Sequence, residues 1–271
     1  MQSDFFIQLI PPVITKKLRK IYNRFCGTTF HGPIDSWLNA SLATLGYQNE
    51  LLIDTIMEAS LKVKNGEAVF ERDGILMDKI EYSWPITAHM LKIAIENDKA
   101  LRVLDFGGGF GSHYYQNRDM FKALSELRWC VVEQYEVAQK AKSYFQNTEL
   151  TFYEAIDQIS IEDNINLALF SGVLQYIENP YSIVDQIISL GIDNILVDRT
   201  NFDCNNKADE VYIQKNRNNK IKSEYPVYLL SYSKFNSYME EHGFRLLDYF
   251  DSQIDNLSFG KSMCLIYQRF S

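Results

Sequence analysis

The stretch richest in chemistry runs Leu101-Arg-Val-Leu-Asp-Phe-Gly-Gly-Gly-Phe-Gly111. Apolar, β-prone residues lead into Asp105. Gly107, Gly109 and Gly111 then fall at alternate positions, with Gly108 between the first two. The pattern predicts a strand over 101–105, a tight turn, and a helix from Ser112 to about residue 126. Glycine permits positive φ and, lacking a Cβ, lets a ligand approach the main chain. Amides at the start of the following helix add a positive dipole end. In open α/β folds such a turn, at the carboxyl edge of a parallel sheet, is where nucleotides are held.

A dinucleotide fingerprint requires G-x-G-x-x-G, and its third glycine would stand at 112, which is serine. The chain has D-x-G-x-G-x-G from Asp105 to Gly111 instead, which resembles the first motif of class I S-adenosylmethionine (SAM) methyltransferases. A glycine turn that binds nothing is the alternative. One helix length later, Arg128-Trp-Cys-Val-Val-Glu133 is a short apolar stretch ending in an acid. A carboxylate there suits a ribose diol, because its oxygens only accept hydrogen bonds and the diol offers two donors. A solvated strand-end acid is the plainer reading.

These residues need a scaffold, and 271 residues with 46% hydrophobic content can bury a large core. A net charge of −8 argues against generic nucleic-acid binding, which depends on neutralising phosphates. The four cysteines, Cys26, Cys130, Cys204 and Cys264, are scattered. None makes a metal-ligand spacing, so reduced thiols in a cytoplasmic protein are expected and no metal site is. The stretch from Phe5 to Ile14 is interrupted by Pro11-Pro12 and follows no basic residue, unlike a signal peptide. The basic run Lys16-Lys-Leu-Arg-Lys20 with Arg24 reads either as a weak peripheral contact with an anionic membrane or as the solvated face of a packed helix.

From Leu101 onward strand and helix alternate. Strands are expected at 101–105, 129–133, 150–153, 166–171 and 194–198, with helices at 135–146 and from Pro180. This rhythm predicts a doubly wound parallel sheet. Residues 201–225, polar and rich in Asn and Lys, read as a lid, a mobile loop or a solvated excursion. A helix over 231–241 and an antiparallel strand pair, 244–250 and 262–267, close the sheet. Before Leu101 the pattern is helical: from Trp37, over 49–64, and from Ser83-Trp-Pro85 to Asn97. Phe70-Glu-Arg-Asp-Gly74 reads as loop. The expected division is a helical substrate cap, 1–98, and a nucleotide-binding domain, 99–271. Tyr47, Arg72, Asp73, Tyr82, Trp84 and His89 of the cap are candidates to line a substrate pocket, each with packing or surface as its alternative.

Val103–His113, Trp129-Cys-Val-Val-Glu-Gln134, Phe170-Ser-Gly-Val-Leu-Gln-Tyr-Ile-Glu-Asn-Pro180, Val197-Asp-Arg-Thr200, Pro11-Pro12 and the Arg72-Asp73 segment together resemble a bacterial family assigned as methyltransferases and encoded with surface-polysaccharide genes. The resemblance implies a seven-stranded Rossmann-like methyltransferase sheet, mostly parallel, with an antiparallel final strand. It implies SAM as cofactor. Asp105, Gly107, Gly108, Gly109 and Gly111 would hold its methionine end, Glu133 its ribose, Glu154 and Ala155 its adenine, and Ser171 and Gly172 the region beneath the sulfonium, with Gln134 a further cofactor-binding residue.

Were the acceptor a hydroxyl, a base would take its proton, and His113, Tyr176, Asp198 and Arg199 are the carboxyl-edge candidates. His113 could instead pack the turn. Asp198 and Arg199 could form a structural ion pair, or Arg199 could neutralise an acidic substrate. Gln175 and Tyr176 suit a sugar-like acceptor. The expected activity is methyl transfer to a small polar acceptor, such as a sugar or nucleotide-sugar of a surface glycan. The alternatives are a non-catalytic interaction protein of the same fold and an NAD(P)-dependent oxidoreductase.

Overall fold

Val- and Leu-rich runs that are apolar at most positions, on both faces rather than at alternate residues, become central parallel strands buried on both faces. In the computed structural model, which describes residues 28–44, 50–216, 223–252 and 260–270, β4 (Ala100–Phe106) and β7 (Leu167–Ser171) are such strands. The chain forms two compact units, 1–48 with 210–228, and 49–209 with 229–271.

In the first unit, β1 (Thr28–Ile34) pairs antiparallel with β9 (Glu210–Asn216). A neighbouring strand, β10, begins at Ser223 and runs to Ser231. Helix α1 (Trp37–Leu42) is capped by Ser36, whose Oγ accepts from the Asn39 amide. Trp37 stacks on Tyr228 at 4.8 Å over a small cluster of Ala40, Val211 and Ile213.

The second unit holds the main sheet. Its strand order is β6 (Leu150–Tyr153), β5 (Glu126–Val132), β4, β7, β8 (Asn194–Asp203), β12 (Lys261–Arg269), β11 (Phe244–Asp251). The first five are mutually parallel and β12 runs antiparallel between β8 and β11. These seven strands take the expected mostly parallel order with a reversed last strand, but the sheet pairing extends beyond them, so the strand count exceeds the seven expected. The end of β10, Leu230 and Ser231, lies parallel to Phe202 and Asp203 of β8. Among the described residues α2 (Glu50–Lys64), α3 (Trp84–Glu96), α4 (Ser112–Asn117), α5 (Tyr135–Tyr144), α6 (Pro180–Ser189) and α7 (Tyr232–Glu241) complete this unit. One core cluster joins Met90, Ile93 and Ala94 of α3 to Leu101, Val103, Trp129, Leu169 and Ile266 of the sheet. No described helix is long and apolar enough to cross a membrane.

Four expectations need correction. The helix opened by Ser112 stops at Asn117, not near 126. Asn117 is held by the Thr87 hydroxyl at 2.7 Å, and successive three-residue turns then drive Phe121 into the core beside Trp129. Strand β5 accordingly begins at Glu126, in register with Ala100. The segment 70–74 is a hairpin, not a loop: β2 (Phe70–Arg72) pairs with β3 (Ile75–Met77) across Asp73-Gly74, both at positive φ. That is the two-residue turn favoured by Asp-Gly. The stretch 201–225 contains β9 and the start of β10, whose buried Val211, Ile213, Tyr225 and Val227 alternate with more exposed residues. Finally, the boundary expected at 98 falls inside the second unit, because α2 and α3 pack on the sheet and the hairpin on α2 and α4, while 210–228 accompanies the amino-terminal segment. The basic N-terminus, Tyr47 and the Arg217-Asn-Asn-Lys220 part of the polar stretch lie outside the described residues.

Candidate functional site

The carboxyl ends of five parallel strands bring the predicted residues to one edge. Gly107 N–H donates to the Val132 carbonyl at 2.9 Å, Glu133 N–H to Tyr153, and Gly172 N–H to Asp198, so the turns after β4, β5 and β7 leave the sheet level with one another. Gly107, Gly109 and Gly111 all take left-handed φ, at 73°, 59° and 89°. The alternating spacing is therefore a backbone requirement, since L-residues there are strained by about 1–2 kcal/mol each.

The four glycines differ in what surrounds them. A Cβ on Gly107 would lie 2.5 Å from the Val173 side chain, one on Gly108 2.5 Å from the Asp105 carboxyl, and one on Gly111 3.0 Å from Leu150. The protein's own packing accounts for all three. At Gly109 a Cβ would meet nothing within 4 Å, so a ligand has main chain to approach there. Glu133 stands beside it: Oε1 accepts from Gly109 N–H at 3.1 Å and Oε2 from Gln134 N–H at 2.8 Å. Burial raises the Glu133 pKa and these two amides oppose the shift. Each oxygen keeps lone-pair capacity for a further donor.

Asp105 lies beneath the turn rather than in open space. It is 1% exposed, accepts from Trp129 Nε1 at 3.0 Å through Oδ2, and leaves Oδ1 without a partner. Burial lifts its pKa to about 7. His113 Nδ1 sits 3.8 Å from Oδ2 and also has no hydrogen-bond partner. Burial, with help from Arg199 and Arg72, pushes the imidazole down to about 3. His113 is thus a neutral ring packed against the turn.

Strand β8 supplies the opposite wall. Asp198 is buried, and its Oδ2 accepts from Ser171 Oγ at 3.0 Å and lies 4.0 Å from Arg199 Nε. Arg199 Nε also donates to Ser171 Oγ at 3.2 Å. Burial raises the Asp198 pKa, opposed chiefly by Arg199. Gln175 Nε2 donates to the Arg199 carbonyl, while its buried Oε1 finds no donor. Tyr176, in the short helical turn Leu174–Tyr176, is 38% exposed at this edge.

Some candidates are occupied elsewhere. The Glu154 carboxylate accepts from Lys142 Nζ at 2.7 Å and from Gln139 on α5, with Ala155 opening a short turn behind it. His89 Nδ1 faces its own helix at the Pro85 carbonyl and its ring tilts on Phe250. Asp73 is a turn residue. Trp84 is exposed and stacks on Tyr82 at 4.6 Å. Arg72 pairs with Glu81 at 3.1 Å, yet its charge also acts on His113 and Asp198.

Sequence reasoning missed Glu71. It is buried, accepts from Ser60 Oγ at 3.0 Å, from Gly74 N–H at 3.2 Å and from Ser112 Oγ, and so ties the hairpin to the helix start after the glycine turn. The Asp73-Gly74 dipeptide between apolar residues was the signal available for it. Trp129 and Val173, which support Asp105 and Gly107, carried no signal beyond ordinary hydrophobicity.

No protein-family profile and no curated protein matches this chain. Solved structures similar to it include the N-terminal domain of EvdMO1 in the presence of SAH and D-fucose, at 13% identity over 79% of this chain and 97% of that one, with a TM-score of 0.48. SAM-bound CalS10, an amino pentose methyltransferase from Micromonospora echinaspora, shares 10% identity over 70% and 92%, with a TM-score of 0.46. Magnesium protoporphyrin IX methyltransferase (ChlM) from Synechocystis PCC 6803 with bound SAH shares 12% over 83% and 89%, also at 0.46. At these scores the reading of the site rests on this chain's own geometry.

Proposed function

We propose that the protein is a SAM-dependent methyltransferase acting on a small polar acceptor. The observation that carries this reading is the open main chain at Gly109 with the Glu133 carboxylate hydrogen-bonded to that same residue, on a sheet whose last strand is reversed. Gly109 receives the donor's amino-acid tail and Glu133 its ribose hydroxyls, while Glu154 and Ala155 flank the adenine. Bound SAM would supply an electrophilic methyl on a sulfonium, so the protein's task is alignment and exclusion of water. Asp105 and His113 act from below, as the packed floor of the turn. Asp198, held by Ser171 and Arg199, orients those groups. Tyr176 is the candidate at the open edge for contact with the acceptor. A sugar or nucleotide-sugar of a surface glycan fits the polar residues Gln175 and Tyr176 and the family resemblance.

The nicotinamide reading is disfavoured because Ser112, at the third fingerprint position, points its hydroxyl at Glu71, and because β12 breaks the parallel order of a dinucleotide fold.

Calorimetry with S-adenosylhomocysteine tests the proposal. Wild type should bind, and Glu133→Ala should lose the hydrogen bonds of a charged acceptor, about 1.5–3 kcal/mol or roughly 10- to 150-fold in affinity. Absence of binding, or equal affinity in the variant, would refute the site. Bound donor with no methyl uptake by any polar acceptor would leave the non-catalytic interaction protein.

A further inference from the structure

Successive side chains along a strand point to opposite faces, yet Asp198 and Arg199 both reach Ser171. The strand pairing shows how. Thr200 stands opposite Met263 and Val197 opposite Leu265, so Asp198 and Arg199 together face the single residue Cys264. This is a β-bulge, and its second residue, Arg199, takes φ of 48°. Bulges re-aim side chains and are common beside active sites. A non-glycine residue in the left-handed region costs about 1–3 kcal/mol and persists where surrounding structure holds it.

The bulge delivers the Arg199 guanidinium against Gly172, where an added Cβ would lie 3.4–3.6 Å from the side-chain nitrogens and Cζ. Ser171 and Asp198 engage only Nε. Neither Nη takes a hydrogen-bond partner among the described residues, and the Arg199 side chain keeps 19% of its surface accessible. The edge left over is the planar fork that binds carboxylate and phosphate bidentately. The buried Gln175 Oε1, on the side chain whose amide donates to the Arg199 carbonyl, still lacks a donor; it calls for a hydroxyl or amine on the same ligand, not for the anion itself.

We propose that the bulge at Asp198–Arg199 builds an anion-recognition point, at which Arg199 takes a carboxylate or phosphate carried by a ligand of the methyl-transfer site. This rests on the methyltransferase reading only for the identity of the ligand. The anion belongs either to the donor's amino-acid tail or to an acidic acceptor such as a uronate or sugar phosphate. Asp198 is on this account a positioning residue that holds Ser171 and Arg199.

The test is calorimetry on the full chain, comparing wild type with Arg199→Gln. Three probes are used: S-adenosylhomocysteine; 5′-methylthioadenosine, which lacks the amino-acid tail; and inorganic phosphate added to protein saturated with S-adenosylhomocysteine. If the donor's carboxylate is the anion, the variant loses tenfold or more in affinity for S-adenosylhomocysteine and none for 5′-methylthioadenosine. If the acceptor carries it, both nucleosides bind unchanged and phosphate binding is lost. Equal affinities for all probes, or no phosphate binding in either protein with the nucleosides unchanged, overturns the proposal. Should wild type bind no nucleoside, phosphate binding without it, abolished by the substitution, would retain the anion point while removing the methyltransferase reading. Phosphate binding by neither protein would remove both. Should Arg199→Gln fail to fold, Arg199→Lys makes the same comparison, since it keeps the charge and loses the fork. Equal binding by Arg199→Lys and wild type then overturns the proposal.

Discussion

At the scale of single residues, the glycine turn separates packing from ligand space. Gly108→Ala places a methyl 2.5 Å from the Asp105 carboxyl and should destabilise by about 1–3 kcal/mol through overpacking. Gly109→Ala meets no atom and should cost only its backbone strain, about 1–2 kcal/mol, yet lose nucleoside binding. Urea unfolding beside calorimetry distinguishes the two, and a Gly109→Ala variant that binds normally would show that the open face is unused.

The buried pair below the turn has its own pH signature. Asp105, raised to about 7, contributes stability that is complete below pH 4 and lost as pH rises through 7. His113, lowered to about 3, contributes stability that is complete above pH 6.5 and lost as pH falls through 3. Between pH 4 and 6.5 the two slopes oppose each other, since folding moves one proton from imidazole to carboxyl. Removing the imidazole in His113→Asn should expose the acid alone, so unfolding free energy should fall with pH across that window by on the order of 1 kcal/mol per unit. A variant whose profile has the same slope as that of wild type would sink this account. Residue types and spacing made the glycines and Glu133 legible in the sequence. The burial of Asp105 was not, because it depends on Trp129, a residue 24 positions away on the next strand.

At the scale of elements, regular β–α periodicity was readable because central strands bury both faces and carry no alternation to misread. The irregular elements escaped for identifiable reasons. The hairpin 70–77 has strands of three residues, too short for a period to emerge. The bulge in β8 depends on the count of residues in β12, about 65 positions later, which no local pattern encodes. The short α4 ends where Thr87 and the core claim Asn117 and Phe121. The hairpin's link to the turn can be tested at Glu71. Glu71→Ala strands the Ser60 and Ser112 hydroxyls and should destabilise by about 1–3 kcal/mol, while Glu71→Gln, which keeps an acceptor, should lose less. Equal losses on urea denaturation would show that volume rather than hydrogen bonding matters there.

At the scale of the whole molecule, the main core cluster lies entirely within 49–209 and 229–271. A chain beginning at Asn49, with 210–228 replaced by a short Gly-Ser connector, should therefore still unfold in one cooperative transition with a protected β4 and β7, as read by urea titration and hydrogen exchange. A sloping, non-cooperative transition would show that the second unit needs the first. The sequence concealed this division because the excursion's apolar residues alternate singly among Asn, Lys and Glu, and its strand partner β1 stands more than 170 positions earlier.

A short connector suffices because the chain leaves and re-enters the second unit at adjacent points. Where β10 returns to lie beside β8, Ser231 N–H donates to Asp209 Oδ1 at 2.7 Å and Ser231 Oγ to the Asn206 carbonyl at 2.8 Å. Departure and re-entry are clasped side by side, with Tyr181 and Lys234 fastened to the same carboxylate. Whatever is threaded between those two points can grow, shrink or be exchanged without shifting any strand that follows. Such a clasp lets descendants of one scaffold trade accessory pieces while the main sheet keeps its register.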